Sequence, residues 1–156
     1  LVYLCRPQSK GYITLKSSDP NDDPLMYPNY FSVEQDLIDT RNGLREARRV
    51  FMQPVFDEYR GEELKPEKNI DINNDHELDQ WIRETGETLY HPVGTCKMGI
   101  DEFAVTNEHG QVHGTESLRV VDASLMPSLI AGNTNAPTIM MAEKISDHIN
   151  GNSFLG

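Results

Sequence analysis

One imidazole in this chain stands where the backbone would aim it. In YHPVGTCKMG, residues 90–99, His91 is followed at once by Pro92 and then by a turn-like run between Gly94 and Gly99. A residue before proline is biased to extended backbone, and glycines allow tight turns on the far side. Such a segment holds a side chain at a fixed angle. Neutral imidazole, with an ordinary pKa of about 6.5, can accept a proton at physiological pH. A hydrogen-bonded structural histidine fits the same pattern, and the residues alone leave both readings open.

The other histidines carry less. His109 and His113 have the i,i+4 spacing that would put two imidazoles on one helix face, half of a metal site. Gly110 and Gly114 interrupt the run, so a polar hairpin loop is expected there and no metal site. His76 and His148 fall on predicted helix surfaces, where a solvated imidazole is the default. Cys5 and Cys96 form no C-x-x-C pair and are expected to be free thiols.

The 156 residues are enough for one ordinary domain. The formal net charge of −11 argues against nucleic acid or an anionic membrane as partner. The acidic residues are spread out, as on a solvated surface. No stretch approaches the roughly 18 apolar residues of a membrane span. The opening LVYLCRPQSKG lacks the charged region, apolar core and cleavage site of a signal peptide, and it begins without methionine, as a fragment would.

The elements that must position His91 are readable from punctuation and period. Tyr12, Thr14 and Lys16 alternate with Ile13 and Leu15, which predicts a strand with one buried face, bounded by Gly11 and the turn cluster from Asp19 to Pro24. LMYPNYF is expected to be a second, proline-interrupted edge strand. Between about Val33 and Tyr59 the spacing is helical, with Leu37, Leu44, Ala47, Phe51 and Val55 near one face. Gly43 and Pro54 predict a break and an end. Arg45, Arg48 and Arg49 are expected on a solvated face paired with Glu46. GEELKPEKNIDINND is expected to be a loop. Asp75 is expected to cap a helix carrying Leu78, Trp81, Ile82 and Thr85, with Gly86 as its stop. LRVVDAS, residues 118–124, predicts a short strand, and a last helix is expected from about Ala136 to His148 with Ile139, Met140, Ala142, Ile145 and Ile149 as its apolar positions. Strands and helices alternate without a regular βαβ rhythm, which predicts an α+β fold with a mainly antiparallel sheet and flanking helices.

Two long stretches add to this. YHPVGTCKMG followed by LRVVDASLMPSLIAGNTNAPTIMMAEKISDHI resembles the C-terminal signature of the glucose–methanol–choline (GMC) flavoprotein oxidoreductases. The upstream RPQSKGYITLKSSDPNDDPLMYPNYFS resembles the strand pair of the family's substrate domain, so the likeness runs from about Arg6 to Ile149. The wording NTNAPTIMMAEK is most similar to the branch that includes insect glucose dehydrogenases and choline dehydrogenases. The resemblance implies an oxidoreductase that uses FAD on CH–OH groups of a small alcohol or sugar. It also implies that residues 1–117 belong to the substrate-binding domain and that residues 118–156 return as a strand and helix to the FAD-binding domain. The family's G-x-G-x-x-G strand-turn-helix is not in this sequence; NEHGQVHG does not follow a strand as that motif requires. The chain is therefore expected to be the C-terminal portion of a longer enzyme, with the remainder of the same chain as its partner.

By the same resemblance His91 matches the family's active-site histidine. The second catalytic position, held by His or Asn in the family, falls ten residues before Glu143, at Asn133. An amide there can hydrogen-bond and orient the substrate oxygen but cannot act as base. Asn135 is close enough in sequence that the two could exchange roles. Asp122 and Ala123 match positions that approach the FAD ribityl–phosphate region, although an aspartate ending a strand is also an ordinary turn residue. Asn135, Pro137 and Thr138 match the turn against the isoalloxazine ring. Proline just inside a helix start costs no hydrogen bond, and the positive end of the helix dipole would favour a reduced, anionic flavin. Two further readings remain beside the enzyme: a non-catalytic relative or fragment acting as a binding module, and a metal-binding domain built on His109 and His113.

The missing dinucleotide motif gives the first prediction. Residues 1–156 purified alone should show no flavin absorbance and bind no FAD at micromolar concentration, as read from the visible spectrum and an FAD titration. Stoichiometric yellow colour would put the whole cofactor site inside this chain.

Overall fold

Alternation after Gly11 does make a strand. In a computed structural model that describes residues 2–152, β1 (Tyr12–Thr14) pairs antiparallel with β2 (Leu25–Tyr27), in the register Tyr12↔Tyr27, Ile13↔Met26, Thr14↔Leu25. The rings of Tyr12 and Tyr27 stack across it at 4.6 Å. The expected buried face is not found in this chain: all six strand residues are exposed. Two short strands make only two faces, and no other element of the described chain packs on either closely enough to bury them.

The chain divides into two compact units, one ending at Thr88 and the other beginning at Leu89. In the first unit α1 (Glu34–Phe51) runs unbroken through Gly43, where a break was expected. The position is glycine for space, since a Cβ there would lie 2.8 Å from Val2 Cγ1. Glu34 and Asp36 at its start and Arg48 and Arg49 at its end match the helix dipole. Pro54 ends it in a 3-10 turn, Pro54–Phe56. α2 (Asp75–Thr85) starts one residue earlier than expected, at Asp75 itself: Asn74, not Asp75, is the cap and accepts from the N–H groups of His76 (3.1 Å) and Glu77 (3.4 Å).

Leu37 of α1 meets Ile72, Leu78 and Ile82 in the core of this unit, flanked by Phe31, Leu44, Ile70 and Trp81. Each fully buried aliphatic side chain contributes about 1.5–3 kcal/mol. Beyond Leu44 the apolar stripe of α1 is uncovered, with Phe51 and Val55 exposed. The arginines are not a merely solvated face. Arg49 does pair with Glu46, but Arg48 reaches Glu63 at 3.0 Å, and Arg45 bonds Asp75 and the Ile72 carbonyl (2.9 Å). With Arg41 on Asp79 at 2.7 Å, these bonds tie α1 to α2.

The second unit has no regular strand among the described residues. Its backbone is knitted by single bridges: Met98↔Thr106, Thr106↔Val112 and Gln111↔Arg119. The strand expected at 118–124 reduces to the last of these. Val112 N–H bonds Leu118 O and Val120 N–H bonds Gly110 O, after which Asp122 captures the Ser124 N–H and coils the chain into a 3-10 turn, Ala123–Leu125. α3 (Asn135–Asn150) ends at Gly151 with φ 69°. Ile145 is its buried residue, while Ile139, Met140 and Ile149 are exposed. The described part is thus a mixed helix and strand chain with a two-stranded antiparallel sheet. The expected segment 118–156 includes residues 153–156, which lie outside the described residues. Cys5 and Cys96 are free thiols. Among the described residues no helix is long and apolar enough to cross a membrane.

Asp36 is the ionic anchor of the first unit. It is 2% exposed, and its carboxylate accepts from the backbone N–H groups of Gln8 and Ser9, each at 2.8 Å. Burial pushes its pKa up, but the Gln8 N–H, the Ser9 hydroxyl and the Ser9 N–H outweigh it and hold the group below the ordinary carboxylate value. A depressed folded-state pKa stabilises the fold above the unfolded value, about 3.9, and that stabilisation fades as pH falls through the folded value. Asp36→Ala should cost about 1–2 kcal/mol at pH 7 by removing the acceptor of two part-buried N–H groups. The gap to wild type should narrow below about pH 4. Urea denaturation followed by Trp81 fluorescence reads both, and a gap independent of pH would contradict the ionic anchor.

Candidate active site

The backbone before the histidine is held out of its ordinary range. Tyr90 has φ 60°, a left-handed conformation that a bulky residue adopts only when its surroundings enforce it. His91 and Pro92 follow, both exposed. The His91 ring makes no hydrogen bond with the described residues. At Gly94 φ is 88°, and a turn closes by a Lys97 N–H to Gly94 O bond of 3.1 Å. A side chain at Gly94 would be strained by that φ and would lie 3.3 Å from Met126 O.

Past the turn the loop docks. Cys96 N–H donates to Ser124 O at 3.1 Å and Met98 N–H to Leu125 O at 2.9 Å. Leu125 and Met126 are buried beneath this seam. The segment carrying His91 and the segment carrying Asp122 and Ala123 are thereby brought together. Asp122 is exposed and Ala123 half-buried. One Asp122 oxygen, Oδ1, accepts the Ser124 N–H at 2.7 Å, so this residue performs the turn role that the sequence also allowed.

α3 presents its start differently. Thr134, its cap residue, is buried, and no side chain caps the helix. Pro137 is the third helical residue, and the first turn carries no acidic residue. Thr138 Oγ1 donates to Thr134 O at 2.8 Å, which fastens the turn from inside. Asn133 and Asn135 are both exposed, and neither amide is hydrogen-bonded to the described residues. No hydrogen bond links Asn133 to His91. An uncapped helix start with free amides and no acid suits an electron-rich group, and the donor set is of the kind a flavin ring edge would use.

His76 is exposed, as expected, and the other three histidines are engaged separately. His113 Nε2 lies 3.1 Å from Gly99 O, in the hairpin the glycines predicted. His109 stacks on His148 with ring centroids 3.8 Å apart and planes 4° apart, so His148 is not merely solvated. Sequence reasoning passed over Tyr90 and Thr106. A bulky residue before His-Pro was the available signal for the first. Thr106, which is fully buried, offered none, because a lone threonine in AVTNE reads as surface.

A family model for GMC oxidoreductase, in its C-terminal part, matches residues 7–142, and the chain belongs to that family. The oxygen-dependent choline dehydrogenase of Pseudomonas savastanoi pv. phaseolicola is 52% identical over 146 residues, covering 94% of this chain and 25% of that protein. That of Escherichia coli O127:H6 is 48% identical over 150 residues, covering 96% and 27%. The chain therefore spans about a quarter of the length of the curated relatives it matches. Among solved structures, pyridoxine 4-oxidase from Mesorbium loti superposes with TM-score 0.85 at 29% identity, covering 96% of this chain and 29% of that one. Formate oxidase of Aspergillus oryzae RIB40, solved in work on FAD modification, superposes with TM-score 0.86 at 29% identity, covering 95% and 26%.

Proposed function

We propose that this chain is the C-terminal part of an FAD-dependent oxidoreductase acting on CH–OH groups, with His91 as proton acceptor and Asn133 orienting the substrate oxygen. The observation that carries this reading is an exposed histidine with no hydrogen bond of its own, on a strained loop fastened to the Asp122 turn. The choline dehydrogenases, at about half identity, favour a small alcohol over a sugar as substrate.

FAD would supply the hydride acceptor, which no side chain here can be. Asp122, Ala123, Asn135, Pro137 and Thr138 are the residues of this chain that would hold it. The start of α3 favours negative charge by about 0.3–1 kcal/mol when exposed and more when covered. His91, as a neutral imidazole, takes the hydroxyl proton as the CH–OH carbon is oxidised to a carbonyl. Asn133 donates its amide N–H to the same oxygen and fixes its direction. In this reading residues 1–117 shape the substrate side and residues 118–156 the flavin side. The compact units divide earlier, at Leu89, so the histidine loop lies in the same compact unit as the described part of residues 118–156.

In the full-length enzyme His91→Ala should lower the alcohol-oxidation rate by roughly 10²-fold or more, with FAD content near normal. Rates within about threefold of wild type in steady-state assays would return His91 to a structural role.

The two asparagines separate by variant. Asn133→Ala should cut kcat/KM strongly while Asn133→His keeps a good share, because an imidazole can supply a similar hydrogen bond. Asn135→Ala should instead loosen FAD, with less effect on the chemical step. Kinetics and flavin retention measured side by side decide it. If Asn135→Ala abolishes turnover with FAD fully bound while Asn133→Ala changes little, the catalytic role belongs to Asn135.

A further inference from the structure

We propose that Thr106 is a positioning residue that sets the angle of the His91 loop against the Ala123 turn. This rests on the reading of His91 as proton acceptor. Thr106 is 0% exposed, and three of its polar groups serve one short stretch. Its N–H donates to Lys97 O at 3.3 Å, its carbonyl accepts from Gly99 N–H at 2.9 Å, and its Oγ1 donates to Cys96 O at 3.1 Å. The first two are backbone bonds that any residue there could make. The third needs a hydroxyl.

Cys96 is the residue that makes that bond matter. The peptide on one side of it donates to Ser124 O, next to Ala123, and the peptide on its other side accepts from Thr106 Oγ1. Cys96 is thus gripped between the proposed flavin-side turn and the Thr106 hydroxyl. Only Pro92, Val93, Gly94 and Thr95 separate it from His91, and Lys97 N–H to Gly94 O closes the turn between them. Without the hydroxyl the Cys96 carbonyl loses its buried partner and the peptide is free to tilt, carrying the Ser124 bond and the histidine with it. Displacements on the scale of an ångström at a reacting group are costly in rate.

The test uses the full-length, FAD-loaded enzyme. Thr106→Val keeps shape and volume and removes the hydroxyl; Thr106→Ser keeps the hydroxyl. Stopped-flow flavin reduction at saturating alcohol should slow by about tenfold in Thr106→Val, with substrate Kd and FAD stoichiometry unchanged. The visible circular dichroism of the bound flavin, recorded without substrate, should change in the same variant. Thr106→Ser should stay within about twofold of wild type in rate. Adding Thr106→Val to His91→Ala should cause no further loss, because the two act as one unit. The proposal is overturned if Thr106→Val is as fast as wild type, if Val and Ser slow the enzyme equally, if the loss adds to that of His91→Ala, or if Thr106→Val sheds FAD. A fast His91→Ala would sink the reading of His91 and this proposal with it. A slow His91→Ala beside a fast Thr106→Val would sink this proposal alone.

Discussion

Two backbone hydrogen bonds, Cys96 to Ser124 and Met98 to Leu125, hold the second unit to its purpose. That unit has no ladder to satisfy its peptide groups, and an unpaired buried N–H or C=O is expensive. Its loops therefore pair with one another, one or two bonds at a time, over buried Leu125, Met126 and Thr106. Each such bond contributes only about 1 kcal/mol net, but losing one strands a buried partner. The result is an irregular segment whose course is set by its own cross-loop hydrogen bonds.

Engaged and unengaged polar groups fall in different places. Asp36, Asn74, Thr106, Thr138 and Asp122 are committed to backbone partners, and they make caps, anchors and turns. Asn133 and Asn135 flank buried Thr134 and are exposed and uncommitted, as is His91, whose neighbours Tyr90 and Pro92 are exposed too. The strain at Tyr90 falls on the same segment.

What the sequence disclosed followed how local each signal was. Helical period located α1, α2 and α3, since it is a property of neighbouring residues, while the break expected at Gly43 and the cap expected at Asp75 were not found. His-Pro and Gly94 marked the site loop for the same reason. Alternation located β1 but not its burial, because a strand's faces are covered by elements far away in sequence. LRVVDAS carried strand propensity without a partner strand, and the Asp122 side chain diverted it into a turn. Arg45 and Arg48 misled in the same way, their acids lying 30 and 15 residues on. Thr106 was illegible, since its importance comes from a loop that folds over it. Asn133 and Asn135 stay apart only by function, because both are exposed and uncommitted in the fold.

The boundary at Leu89 bears on how the proposed chemistry would be organised. His91, Asp122, Asn133 and the start of α3 all lie in one compact unit. Proton acceptance and hydride transfer must occur on adjacent atoms of one substrate, so the acceptor and the flavin-side turn must keep a fixed separation. Placing both on the same unit makes that separation a matter of local hydrogen bonds.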